Sequence, residues 1–218
     1  MEKKATLKSK LSKIRSLDSS IIQGDATEFW FNAIFGTILC REEMEIIRTK
    51  NFTFTVCHNA KTVVETIYFL ELPYVGYISM QDIINLLNEY LSIEVMDGHN
   101  KKKCEICKMK TKTVVKTDLK KGEKKKFLII TWCRKQINQN GKFYKNSLQI
   151  KMEIGLYFMD NLWKLSGFLE HLGNNFASGH YIANIFYSED NYLFTNKNIL
   201  WNFNDLMVSQ VKKHSLIS

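Results

Sequence analysis

The sequence predicts an α+β fold in which helices come first and strands follow. Two observations carry this. Residues 29–48 place Phe29, Ala33, Ile34, Ile38 and Leu39 at helical spacing. From Asn51 onward, β-branched and aromatic runs bounded by Gly, Asn, Asp and Ser dominate, without the regular strand–helix alternation of a parallel-sheet fold. A chain of 218 residues, 45% apolar with 14 Phe and 9 Tyr, is long enough and greasy enough for one domain with a real core.

The elements follow in order. Residues 3–15 are basic and carry Leu7, Leu11 and Ile14 on one helical face, so they predict an amphipathic helix covering the domain. Asp25 and Glu28 sit at the start of the next helix, where acidic side chains suit the N-terminal dipole. Residues 51–74 predict strands, the clearest over 62–70. Ser79 then predicts a helix cap, with Ile83, Ile84, Leu87 and Leu91 facing inward. Residues 101–126 predict a cysteine-bearing turn and two strands, one over 111–117. From Phe127 strands alternate with turns, among them Gln139-Asn140-Gly141.

Charge and cysteine usage bound the function. The net charge is +9, and twelve lysines fall between Lys101 and Lys126 against Glu105, Asp118 and Glu123. Such a block reads first as a solvated hairpin, and otherwise as an attractor for nucleic acid, acidic proteins or acidic headgroups. It has no aromatic stacking residue before Lys126, so nucleic acid is the weaker partner. Five cysteines and no signal-peptide pattern predict reduced thiols in cytoplasm or nucleus. No apolar run approaches the roughly eighteen residues of a membrane span, so no membrane partner is expected.

The chemistry concentrates near the C-terminus. His180 opens a strand over 181–187, and residues 199–203 form a second strand followed by Asn204-Asp205. If the two pair antiparallel, the His180 imidazole lies beside Asn204 and Asp205. A histidine held by an amide or carboxylate is the base-and-orienter half of a nucleophilic triad. A histidine at a strand edge is also an ordinary packed or surface residue, and spacing alone reaches no further than a hydrolase. Gly173 and Gly179 bracket a loop before His180 that admits a close backbone approach.

His171-Leu172-Gly173 through Gly179-His180-Tyr181, then Trp201-Asn202-Phe203-Asn204-Asp205 with Val208, resembles the histidine box of the ubiquitin-specific proteases. Further matches occur in the family's order. Gln23-Gly24-Asp25-Ala26-Thr27-Glu28-Phe29 is similar to its Gln-x-Asp-Ala-x-Glu-Phe segment. Cys104-Glu105-Ile106-Cys107 resembles half of its zinc ribbon, residues 127–134 its palm strand, and Lys145 the lysine after the following loop. The resemblance implies a papain-like cysteine peptidase fold: 1–50 a thumb remainder, 51–126 β-rich fingers, 127–211 palm.

It also implies roles. His180 would be the base, Asn204 the third triad member and Asp205 a polar neighbour sharing its task. Asp25 and Glu28 would hold the arginine-rich tail of ubiquitin; Gly173 and Gly179 would bound a blocking loop, and Tyr181 would wall the glycine channel. The partners implied are ubiquitin and ubiquitinated proteins, and the chemistry itself needs no cofactor. The family's nucleophile belongs to an Asn-x-Gly-Asn-Thr-Cys-Tyr box upstream of the Gln-Asp-Ala-Glu segment. None of the residues before Gln23 is a cysteine, and Cys40, Cys57 and Cys133 lack the setting of a reactive thiolate. The expectation is a deubiquitinase relative whose 218 residues form a fragment or an inactive ubiquitin-binding form. The competing class is a zinc-ribbon-like basic nucleic-acid-binding protein. Cys57, Cys104 and Cys107 offer three metal ligands, but Ala60 stands at the fourth position and His58 adjoins Cys57, so structural zinc is expected to be absent or weakly held.

Overall fold

The computed structural model describes residues 41–73, 80–122, 125–132, 134–138, 140–147, 149–174, 178–187, 199–204 and 207–211. In chain order these form a 3-10 turn (Arg41–Glu43), β1 (Ile46–Phe54), β2 (Ala60–Ile67), β3 (Leu70–Leu72), β4 (Met80–Asp82) and helix α1 (Ile83–Tyr90). Next come β5 (Glu94–Met96), a 3-10 turn (Gly98–Asn100), β6 (Lys102–Lys103), β7 (Lys110–Thr111) and β8 (Thr113–Leu119). Then follow β9 (Ile130–Trp132), β10 (Lys135–Ile137), β11 (Phe143–Lys145), β12 (Gln149–Lys151), β13 (Gly155–Phe158) and β14 (Asn161–Lys164). The last are β15 (Gly167–Leu172), β16 (His180–Tyr187), β17 (Ile199–Asn204) and β18 (Met207–Val211). Strands dominate, and α1 is the one α-helix among the described residues.

Two four-stranded sheets organise the rest, one in the order β2-β1-β8-β5 and one in the order β15-β16-β17-β18. All the neighbours in both sheets are antiparallel. Where the first sheet meets α1, Ile46, Leu70, Leu72, Ile83, Leu86, Leu87, Leu119 and Leu156 close into a core. Ile83, Leu86 and Leu87 recur at helical spacing, which is why α1 buries one stripe there. Arg48 ties β1 to that helix, donating to Glu65 Oε1 at 3.0 Å and to the Tyr90 hydroxyl at 2.7 Å.

Four local expectations need correction. The helical run over 29–48 does not reach Arg48: β1 has already begun at Ile46, because Ile46 and Phe54 are buried on one face, opposite Ile67 of β2 and Thr113 of β8. The α1 cap is Asp82, whose carboxylate accepts from the Ile84 N–H at 2.7 Å; Ser79 lies outside the described residues. Ile84 is 46% exposed, and Leu86 fills the inward place instead. The strand expected over 62–70 is also interrupted at Tyr68-Phe69, where β2 gives way to β3 and its parallel partner β9. No described helix is long and apolar enough to cross a membrane.

Candidate functional site

The register of the C-terminal sheet assembles the site. Ala183 pairs Phe203 and Asn184 pairs Asn202, so His180 and Asn204 fall diagonally on one face of neighbouring strands. Their side chains meet, with His180 Nε2 2.7 Å from Asn204 Oδ1. An amide oxygen only accepts, so the contact assigns the proton to Nε2 and makes Nδ1 the ring nitrogen that can take up another. The same face carries a second amide pair, Asn202 Nδ2 donating to Asn184 Oδ1 at 2.9 Å, with Asn184 buried.

Two glycines and a lysine set the described residues on either side of the loop before His180. Gly173 and Gly179 adopt φ +132° and +155°, where side chains are strained. A Cβ on Gly179 would also lie 2.3 Å from the Leu172 carbonyl oxygen and 2.4 Å from His171 Nε2. The His171 ring therefore packs into the notch that glycine leaves, with its other neighbour the Tyr181 ring, centroids 4.7 Å apart. Lys145, at the end of β11, donates from Nζ to the carbonyl oxygens of His171 at 2.7 Å and Gly173 at 2.6 Å. Desolvation and the nearby Arg134 guanidinium push the Lys145 pKa down, with Glu170 opposing. Burial likewise lowers that of Arg134, which donates to the Asn146 carbonyl oxygen at 3.2 Å.

A second cluster lies between the β1–β2 turn and the β6–β7 turn. Sγ atoms of Cys57, Cys104 and Cys107 all lie within 4.8 Å of one another, and Cys57 and Cys104 are 3.6 Å apart. Two thiolates about 2.3 Å from a tetrahedral zinc ion stand about 3.8 Å apart, so three corners of such a site fit. Backbone N–H groups, that of Cys107 foremost, hold the Cys104 thiol down to about 7 against the cost of burial. The Met109 N–H lowers the Cys107 pKa, but burial and the neighbouring sulfurs outweigh it and the net shift is upward. The amide of Asn59 also reaches the cluster, Nδ2 donating to Cys104 Sγ at 3.7 Å. His58, at φ +53°, is exposed and outside the cluster, and Ala60 is the first residue of β2, paired with Thr53. The three-thiol cluster is compatible with a structural zinc ion.

Of the residues singled out in the sequence, His180 and Asn204 come together, Gly173 and Gly179 bound one turn, Tyr181 follows it, and the three cysteines cluster. Asp25, Glu28, Cys40, Cys133 and Asp205 lie outside the described residues. Missed altogether were Asn59 beside the thiols, the His171 ring under Gly179, and the Asn184–Asn202 pair. Only the alternation of Asn184 with Ile182 and Phe186 signalled the last of these.

The family model described as ubiquitin carboxyl-terminal hydrolase matches residues 5–218. The chain belongs to that family. No curated protein matches the chain. Among solved structures it resembles the SAGA Ubp8/Sgf11/Sus1/Sgf73 DUB module bound to ubiquitin aldehyde, at 19% identity and TM-score 0.63, with 88% of this chain and 46% of that chain covered. The Ubp8/Sgf11/Sus1/Sgf73 module bound to monoubiquitin gives 19% identity and TM-score 0.64, covering 88% and 45%. A yeast SAGA DUBm gives 19% and 0.61, covering 88% and 42%. At this identity the likeness shows the fold, and the chain spans less than half the length of these solved chains.

Proposed function

We propose that this chain supplies the ubiquitin-binding and base-bearing half of a thiol-dependent deubiquitinase of the ubiquitin-specific protease type. The observation that carries the proposal is the His180 Nε2–Asn204 Oδ1 contact of 2.7 Å beside a turn held by two glycines. In this reading residues 1–50 belong to the thumb, 51–126 are fingers and 127–211 palm of a papain-like enzyme, working where thiols stay reduced, in cytoplasm or nucleus. Family membership and the existence of solved relatives bound to ubiquitin support ubiquitin as partner, and through it ubiquitinated proteins.

The geometry implies a division of labour. Asn204 holds the imidazole with its proton on Nε2, so Nδ1 withdraws the proton of a thiol presented to it. The thiolate then attacks the carbonyl carbon of ubiquitin's last glycine, the imidazolium gives the proton to the leaving amine, and water hydrolyses the thioester that remains. Asn204 carries no full charge, so its part is to orient the ring. Asp205 is assigned the same polar neighbourhood. Asp25 and Glu28 take the arginines of the tail, and Tyr181 walls the channel for its glycines. No cysteine of these 218 residues stands in an Asn-Thr-Cys-Tyr setting, so we infer that they bind ubiquitin without hydrolysing its conjugates.

The test has two readouts. Ubiquitin affinity of the 218-residue protein, by calorimetry, should fall about ten- to a hundred-fold in Asp25→Ala or Glu28→Ala, the value of one charge-assisted contact. Ubiquitin with an electrophilic C-terminus should leave the protein unlabelled. Unchanged affinity in both folded variants rejects the tail-binding role; covalent labelling abolished by Cys40→Ala shows a nucleophile within the chain.

A further inference from the structure

We propose that the surface formed by the β6–β7 hairpin and the adjoining β1–β2 turn is a docking surface for an acidic protein segment that carries apolar side chains. This goes beyond the ubiquitin reading, since it invokes neither the His180 site nor the tail of ubiquitin. The lysines of this surface are unequally neutralised. Asp97 pairs with Lys101 and Lys112, Glu105 with Lys61, and Lys102 lies over the Phe52 ring at 5.2 Å. Lys103 and Lys110 are left with no carboxylate partner among the described residues, and they stand directly opposite each other across the hairpin. Both are exposed, as is Lys108 in the turn between them, at φ +63°.

Like charges facing each other across an antiparallel pair destabilise it. A two-residue ladder that puts lysine against lysine is under repulsion that an external carboxylate would relieve. The same turn exposes Ile106 by 70% and Met109 by 50%, and the neighbouring turn, joined to it through Cys57 and Cys104, exposes Val56 by 61%. Three bare apolar side chains beside the unpaired Lys103 and Lys110 match a ligand alternating carboxylates with apolar residues. They do not suit a single-stranded nucleic acid, which needs open aromatic faces: the Phe52 ring is already covered by Lys102. The competing explanation is that the lysines only keep a short open hairpin from pairing edge to edge with other chains.

Lys103→Glu separates these. It replaces a like pair with an opposite one, so the hairpin keeps its fold and the variant should melt no lower than the parent. The probe is a labelled twelve-residue peptide alternating Glu with Leu and Phe, read by fluorescence anisotropy on the full 218-residue protein. Lys103→Glu is expected to weaken binding about tenfold and to flatten its salt dependence. Ile106→Ser should weaken it about threefold, while His180→Ala leaves it unchanged. Peptide affinity within twofold of the parent in both surface variants overturns the proposal, and so does loss of solubility as the only effect of Lys103→Glu. Equal binding of an all-glutamate peptide removes the apolar component, and tighter binding of a dT oligonucleotide, lost in Lys103→Glu, reassigns the surface to nucleic acid.

Discussion

At the scale of single residues, His180 is defined by what it touches. The 2.7 Å contact from Nε2 to Asn204 Oδ1 fixes a tautomer, and a tautomer is measurable without turnover. Nitrogen NMR of the ring should show the proton on Nε2, and Asn204→Leu should return the ring to a mixture of tautomers. Persistence of a single Nε2–H form in that variant removes Asn204 as the orienter. Gly179 permits a sharper expectation. Its φ of +155° and the 2.3 Å approach to the Leu172 carbonyl leave no room for a methyl group, and the obstacle is backbone. Gly179→Ala is expected to cost about 2 kcal/mol in denaturant unfolding, as strain is forced on the turn. The two residues were unequally legible in sequence. The nearness of His180 to Asn204 followed from two strand ends and one assumption, antiparallel pairing, that the register bears out. Asn59, adjacent to Ala60 where the family's fourth ligand would stand, escaped because chain position does not say which neighbouring side chain a turn points at the thiols.

At the scale of elements, the helix α1 shows where pattern reading works and where it slips. Apolar spacing located the helix, yet its start lay at Asp82 because a short strand, β4, claims the residues before it by pairing with β12 in parallel. A sequence window cannot see that partner, which is far along the chain. The same holds for β1, which takes Ile46, Ile47 and Arg48 from an expected helix by pairing with both β2 and β8. Asp82→Ala should cost about 1 kcal/mol, the ordinary value of an N-cap. Leu86, 1% exposed at the centre of the core, should cost about 2–5 kcal/mol on truncation to alanine. The Arg48–Glu65 pair adds a pH signature. The hydrogen bond from Arg48 holds the Glu65 carboxyl below the usual carboxylate range, against a smaller opposing effect of burial. A depressed folded-state pKa stabilises above the ordinary carboxylate range and is lost as pH falls through the folded value. Glu65→Gln should therefore melt below the parent at neutral pH, by an amount worth no more than about 1 kcal/mol for so exposed a pair. The gap should close in acid; a gap that widens there contradicts the assignment.

At the scale of the whole molecule, the two four-stranded sheets meet different demands, the C-terminal one arranging His180 and Asn204 and the other leading out to the thiol cluster. That cluster decides how the outer end of the molecule is stabilised. Three thiols within 4.8 Å supply three corners of a tetrahedral zinc site, and the nearby Asn59 amide donates a hydrogen bond to the Cys104 sulfur. A neutral amide is a poor zinc ligand, so the ion should be held more weakly than by four thiolates or imidazoles. The Cys104 thiol, near 7, is already partly ionised at neutral pH, which favours loading but does not supply the missing corner. Elemental analysis of protein purified in zinc and then exposed to mild chelator should find well under one zinc per chain. Asn59→Cys, which places a fourth sulfur where the amide now reaches the cluster, should retain the ion under the same treatment and melt at higher temperature only when zinc is supplied. One tightly held zinc in the parent, lost in Cys104→Ser, would show that the three thiols suffice. An Asn59→Cys protein that holds no more metal than the parent would show that residue 59 does not face the fourth corner.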